Sequence, residues 1–308
     1  MRSVRTTTAI RCLAITSILL PVLTAESQEL KHPDWHPDGR QLIAEGSCAG
    51  GIDLYLLDIE SQEVRLLWGS EATDGYPRWF PDGKKIAFHQ IDGNRNSRVY
   101  VAEVSASGGI TTVGPVTEGS FDIEPSPSPD GTKLAYSRAG EFGQDIAIID
   151  LLNGDDIRVW ETRNQDHYPS WFPDGDAIIF HSRDAVGTHI FQRILESGRV
   201  EAIMKSNGPD FVGHLSPDGH RLAYSSEREG DREIYVFNLE NGRDQRLTNR
   251  TGRDGYPKFS PDGHKVAYHS VLPDQSVVIR VLDIESGDAS EISCAGWRRG
   301  TDENDAVR

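Results

Sequence analysis

Cysteine is scarce in this chain: three in 308 residues, at Cys12, Cys48 and Cys294. No Cys-x-x-Cys pair occurs, nor a Gly-x-Ser-x-Gly element, a phosphate loop or a dinucleotide fingerprint. These absences remove the sequence signatures of dithiol redox chemistry, α/β-hydrolase catalysis and nucleotide binding. Beyond residue 27 no apolar run is long enough to span a bilayer as a helix. Positive charge is in the minority. Lys and Arg number 32 against 48 Asp and Glu, a formal charge of −16. Such a surface repels nucleic acid and anionic lipid, and it suits basic partners or cations as well as plain solubility.

What the chain has in quantity is one repeated stretch, Pro-Asp-Gly, followed each time by an apolar strand. It reads Trp35-His36-Pro37-Asp38-Gly39, Trp79-Phe80-Pro81-Asp82-Gly83 and Pro127-Ser128-Pro129-Asp130-Gly131. It returns as Trp171-Phe172-Pro173-Asp174-Gly175, Leu215-Ser216-Pro217-Asp218-Gly219 and Phe259-Ser260-Pro261-Asp262-Gly263. The prolines are spaced 44, 48, 44, 44 and 44 residues apart. In the second repeat, residues 74–80, 84–89, 98–104 and 110–116 read as four short strands, with Asp82-Gly83 as a hairpin turn. A repeat of this length built from four strands is a propeller blade. The expected fold is therefore all-β, a six-bladed β-propeller of four-stranded antiparallel blades over residues 28–296, with a polar C-terminal tail at 297–308.

Residues 1–27 read differently. Arg2, Arg5 and Arg11 precede a short apolar run over residues 12–23, and Ala25-Glu26-Ser27 places small residues where a signal peptidase cuts. This is the pattern of a secretory signal peptide, with a retained membrane anchor as the alternative. Removing Arg2, Arg5, Arg11 and Glu26 takes away a charge of +2 and leaves −18. The expected mature protein is a periplasmic or secreted monomer with no membrane span and no nucleic-acid partner.

The hairpin sets a register. Around Asp82-Gly83, Trp79 faces Ile86 and Pro77 faces Phe88 on one side, while Tyr76 faces His89 on the other. The same arithmetic pairs Trp171 with Ile178 and Phe259 with Val266. Blade order brings the first and sixth blades together when the ring closes. Cys48, between strands of the first blade, and Cys294, ending the sixth, are then a candidate disulfide; two separately buried thiols are the alternative.

Two constellations could carry chemistry. Seven residues before each turn proline stand Asp74, Asp122, Asp166, Asp210 and Asp254, with Leu30 in the first repeat. Five carboxylates around one channel mouth could bind a divalent cation or a basic segment. Alternatively, each caps a local turn. His89, His181 and His269 share one position in alternate blades. Three imidazoles suggest zinc, but each has a tyrosine opposite, Tyr76, Tyr168 or Tyr256, and local Tyr–His pairs are the favoured explanation of the pattern. His167 and His214, on innermost strands, are better placed to face the channel, with Asp34, Arg78 and Lys258 at the position of His214. Gly46-Ser47-Cys48-Ala49-Gly50 mimics a nucleophile elbow without the strand-to-helix context. The run from Asp92 to Glu103 mimics a calcium loop but has Ser97 at the glycine position.

The pattern Asp-x-x-Pro-x-Trp-Ser/Phe-Pro-Asp-Gly, then Ile/Leu-Ala-Phe/Tyr and Ile-Tyr-Val, resembles the WD-like repeat of the TolB propeller family. Ser216-Pro217-Asp218-Gly219, Leu222-Ala223-Tyr224-Ser225, Ile234-Tyr235-Val236 and Arg246-Leu247-Thr248 carry it most fully. The resemblance covers about residues 30–294, the propeller part alone. It implies a non-catalytic scaffold that binds an envelope protein or a small polar ligand across one face or in the channel. Related propellers also include metal-dependent enzymes acting on sugar acids, with channel-facing histidines and acids. The candidate binding residues are then Asp74, Asp122, Asp166, Asp210, Asp254, His167 and His214. A purely structural envelope component is the third reading.

Overall fold

In a computed structural model, residues 28–105, 108–183, 187–204 and 208–297 are described; the expected signal peptide and all but the first residue of the expected tail lie outside them. Six separate four-stranded antiparallel sheets succeed one another along the chain, each made of four consecutive strands. The chain folds as a six-bladed β-propeller. Blade 1 runs from Leu30 to Trp68, blade 2 from Thr73 to Pro115 and blade 3 from Asp122 to Trp160. Blade 4 runs from Gln165 to Ala202, blade 5 from Asp210 to Arg246 and blade 6 from Arg253 to Ile292. The described residues hold no α-helix, only a 3-10 turn at Cys294–Gly296. None of their helices is long and apolar enough to cross a membrane.

Each Pro-Asp-Gly forms the turn from the first to the second strand. Phe80 and Lys85 close the loop in blade 2, and the Gly83 N–H donates back to the Phe80 carbonyl at 3.0 Å. The Asp82 carboxylate accepts from the Lys84 N–H at 2.8 Å. Gly83 has φ 63°, a conformation that favours glycine. Trp79 then faces Ile86, Trp171 faces Ile178 and Phe259 faces Val266.

A blade has two apolar faces, so the core lies between blades. Six apolar clusters occur, one at each junction of neighbouring blades. The large residue two before the turn proline wedges into the junction with the preceding blade: Trp35, Trp79, Trp171, Leu215 and Phe259. Burying one such side chain stabilises by roughly 1.5–3 kcal/mol. Two of the indoles also donate across the junction, Trp35 Nε1 to the Lys258 carbonyl at 3.0 Å and Trp171 Nε1 to the Ser126 carbonyl at 2.9 Å.

The ring closes between blades 6 and 1 without strand exchange. Cys48 and Cys294 are joined by a disulfide with a Cα separation of 5.2 Å. Glu29 bridges to Val277, and Val64 to Trp297, each in parallel sense. Both sulfurs lie within the apolar cluster that this junction buries. A cross-link over 246 residues of chain constrains the unfolded ensemble strongly, by roughly 5 kcal/mol as an upper limit in the chain-entropy model. A Cys48→Ser/Cys294→Ser protein is expected to melt several degrees lower than the oxidised one. Hydrogen exchange should quicken first in the innermost strand of blade 1 and the outermost strand of blade 6. Loss of protection spread evenly over all blades would contradict a closing role.

Candidate functional site

Every innermost strand carries the same irregularity. Between Gly75, which faces His89, and Arg78, which faces Ala87, Tyr76 and Pro77 stand against the single residue Phe88. The equivalent bulge occurs in all six blades. Its first residue has left-handed backbone throughout: His32, Tyr76, Glu124, Tyr168, Val212 and Tyr256, with φ from 39° to 59°. Proline follows in five of the six. The residue before proline is kept out of the right-handed helical region. Proline's missing N–H is harmless here, since this strand is the edge of its sheet and faces the axis. Such a backbone is uncommon for non-glycine residues, above all for β-branched Val212.

The bulge corrects the expected register. Beyond it the strand slips by one residue, so His89, His181 and His269 face Gly75, His167 and Gly255, not the tyrosines. The tyrosines still meet those histidines ring to ring, with centroids 5.1, 4.8 and 4.8 Å apart. Glycine makes room for two of the imidazoles. A Cβ on Gly75 would stand 2.9 Å from His89 Nε2, and one on Gly255 3.1 Å from His269 Nε2.

Turned by the bulges, Tyr76, Tyr168 and Tyr256 converge on the axis. Their hydroxyls form a triangle with edges of 3.1, 3.2 and 2.8 Å. Each hydroxyl can donate once and accept once, so the ring of three is self-satisfying. His32 stacks on Tyr76 at 3.8 Å and meets Tyr256 edge-on at 4.2 Å. The left-handed residues also offer N–H groups to the blade before. Glu45 Oε2 accepts from Tyr76 N–H at 2.7 Å, and His89 Nδ1 accepts from Glu124 N–H at 3.3 Å. Glu124 Oε2 in turn accepts from Tyr168 N–H at 2.9 Å.

Charge at this floor is paired. His32 Nδ1 lies 2.8 Å from Glu45 Oε1. Glu124 Oε2 receives the Ser137 hydroxyl at 2.8 Å and His167 Nδ1 at 3.2 Å. Burial alone would raise the Glu124 pKa, but His167, Ser137 and the Tyr168 N–H outweigh it and hold the carboxyl low. For His167 burial would lower the pKa; the Glu124 hydrogen bond and charge outweigh it and push the imidazole up. Burial takes the other imidazoles the opposite way: His89 falls to about 4, His181 to about 3 and His269 well below its ordinary value. Those three are neutral at pH 7, which suits the acceptor role of His89. Among the described residues, no three His, Cys, Asp or Glu side chains gather as metal ligands.

The five aspartates are buried beside their own loops and second strands. Asp74 accepts from Ser70 Oγ and Gln90 Nε2, both at 2.8 Å. Asp122 holds Arg138 with two bonds, at 3.0 and 3.2 Å, and the Gly119 N–H at 3.1 Å. Asp166 accepts from Thr162 Oγ1 at 2.7 Å and Asp254 from Ser270 Oγ at 2.6 Å. Asp210 is buried at the same position. Burial raises Asp74 to about 6 against its two hydrogen bonds. His214 lies on the turn side of the triangle, where its Nδ1 accepts from the Phe259 N–H at 3.3 Å. There an axial cavity of about 30 Å³ is lined by the six ring residues, the residue after each of them except Pro257, and Arg78 and Lys258.

His167 thus joins the central floor, whereas His214 and the aspartates lie away from it. Sequence reasoning missed Glu45, Glu124, His32 and the tyrosine triangle. The one available signal was the shared position five residues before each turn proline, occupied in turn by His, Tyr, Glu, Tyr, Val and Tyr.

A propeller with a closed, polar-aromatic axis is the class of protein defined here. The model of the TolB beta propeller domain matches residues 15–208 and 187–304. The chain belongs to that family. An uncharacterized protein of Agrobacterium fabrum is 31% identical over 127 residues, which is 41% of this chain. The match spans only 40% of that curated relative's length. TolB from Acinetobacter baumannii superposes with a TM-score of 0.66 at 20% identity, over 87% of this chain and 63% of its own. A protein assigned to TolB from Agrobacterium tumefaciens gives 0.69 at 22%, over 83% and 91%. An oligogalacturonate lyase in complex with manganese gives 0.58 at 17%, over 86% and 77%. At these identities the structural likeness speaks for the fold.

Two titrations test the electrostatics. Replacing Glu124→Gln removes the hydrogen bond and the larger charge that oppose burial at His167 and leaves only Asp166, so its pKa should fall in an NMR titration. In the unaltered protein the His167 share of stability is present below the unfolded pKa and fades as pH rises through the folded value. Asp74 works in the other sense. Its folded pKa of about 6 lies above the unfolded 3.8, so its ionisation between those values destabilises the fold. Asp74→Asn should therefore gain stability relative to the parent as pH rises from 4 to 7. Melting curves that stay parallel across that range would contradict the assignment.

Proposed function

We propose that this protein is an exported, non-catalytic binding scaffold of the cell envelope that holds a protein partner or a small polar ligand on the face above the tyrosine floor. The observation that carries the reading is the hydroxyl triangle. It closes the axis with groups that satisfy one another, and it leaves a floor ringed by the loops between second and third strands. Among those loops Arg232 lies over the Phe211 ring at 4.0 Å and is held by Glu227 at 2.8 Å. With His167 it offers pre-positioned donors at little entropic cost to binding. Membership of the TolB beta propeller family supports export and envelope partners, and so does the reading of residues 1–27 as a signal peptide.

The test pairs capture with substitution. Immobilised full-length protein is exposed to envelope extract from the native host. Arg232→Ala and His167→Ala are compared with Arg199→Ala in blade 4, outside the floor. Loss of a captured partner with the first two but not the third is the expected result. Equal capture by all three would move the binding face elsewhere. In parallel, calcium, manganese and zinc are titrated against melting temperature, followed by a sugar-acid turnover assay. Turnover that disappears with Glu124→Gln would replace the scaffold reading with the carbohydrate-enzyme one.

A further inference from the structure

Three residues before each turn proline, on the turn side of the triangle, a second ring surrounds the axis: Asp34, Arg78, Ser126, Ser170, His214 and Lys258. Its charges do not balance. Arg78 donates to Asp34 Oδ1 at 3.1 Å, and Asp34 Oδ2 accepts from the Trp79 N–H at 2.9 Å. His214 falls to about 4, through burial and the nearby Arg78 charge, and is neutral at pH 7. Lys258 is 6% exposed and lines the axial cavity. Among the described residues no carboxylate lies within ion-pair distance of its ammonium, although Arg78, Arg138 and Arg280 each have one. Its backbone carbonyl accepts from Trp35 Nε1, which fixes the strand that carries it. Glu124 also lines the cavity, but its Oε2 is taken up by Ser137, His167 and the Tyr168 N–H.

The ring thus holds two cations, half-buried Arg78 and buried Lys258, and its one carboxylate, Asp34, is bonded to Arg78. A buried charge without a counter-charge is among the most costly features a fold can hold. The cavity that both residues line has room for one or two water-sized groups. We propose that this axial cavity is a binding site for one small monovalent anion, of halide or formate size, held between Lys258 and Arg78. One negative charge completes the balance of the ring. A sulfate or phosphate would exceed both the space and the charge required. The site is separate from the binding face above the triangle, and it would stiffen the propeller from the turn side.

Thermal melts of the full chain test this in chloride-free buffer, titrated with sodium chloride or sodium formate. Sodium methanesulfonate, whose anion is too bulky for the cavity, controls for ionic strength. The unaltered protein should gain about 2–5 °C in a saturable way with chloride and formate, and none with methanesulfonate. Lys258→Met, which keeps length and removes charge, should lose that response. An equal gain in Lys258→Met, or an equal gain with methanesulfonate, would overturn the proposal. Should that variant fail to fold, crystals of the unaltered protein grown in bromide decide the matter by anomalous scattering. A bromide peak between the Lys258 ammonium and the Arg78 guanidinium supports the site. Water alone at that position overturns it.

Discussion

The left-handed bulge in each innermost strand is the constraint from which the centre of this propeller follows. Edge strands that face an axis have no sheet neighbour on that side, so they can carry proline there, and the extra residue interrupts only the ladder to the second strand. The extra residue turns one side chain per blade toward the axis. Three of those side chains are tyrosines, and three-fold alternation is what lets their hydroxyls meet at 2.8–3.2 Å. With tyrosine in adjacent blades the rings would crowd; with fewer, hydroxyls would be left without partners. The backbone strain at six positions is held in place by the junction cores and by cross-blade acceptors such as Glu45 and His89.

Burial then divides the ionisable groups by their partners. Imidazoles with no carboxylate bonded to them are driven neutral by burial, as at His181 and His269. His167, beside a carboxylate, is driven the other way. The same residue type therefore does different work a few ångströms apart, as an acceptor at His89 and as an ion-pair partner at His167. The aspartates seven residues before each turn follow a third rule. Asp74, Asp122, Asp166 and Asp254 each set the carboxylate against nearby hydroxyl, amide or guanidinium donors, so their recurrence tracks the repeated loop geometry.

The two sides of the triangle differ in character. Above it, paired charges and an arginine stacked on Phe211 present a set surface. Below it, Arg78 and Lys258 leave positive charge in excess within a narrow space. A fold whose stability resides in six junctions and one disulfide closure can vary both sides freely, because neither contributes to the junction cores.

Periodicity made the architecture legible. Six turns at near-constant spacing, each with Asp-Gly before an apolar strand, determine four-stranded blades, their register next to the turn and which wedge residue enters each junction. These are local properties, encoded within a few residues of each turn. Ring closure could be inferred for the same reason, since Cys48 and Cys294 sit at the ends of a closed series. The bulge was not legible. A one-residue slip four or five positions from the turn depends on the axis-facing edge having no partner, which no single repeat reveals. Everything downstream of it was decided only by tertiary structure: the meeting of Tyr76, Tyr168 and Tyr256, the Glu124–His167 pair and the placing of Lys258 beside the axial cavity. Those contacts join residues of different blades, and their distances exist only once six blades share one axis.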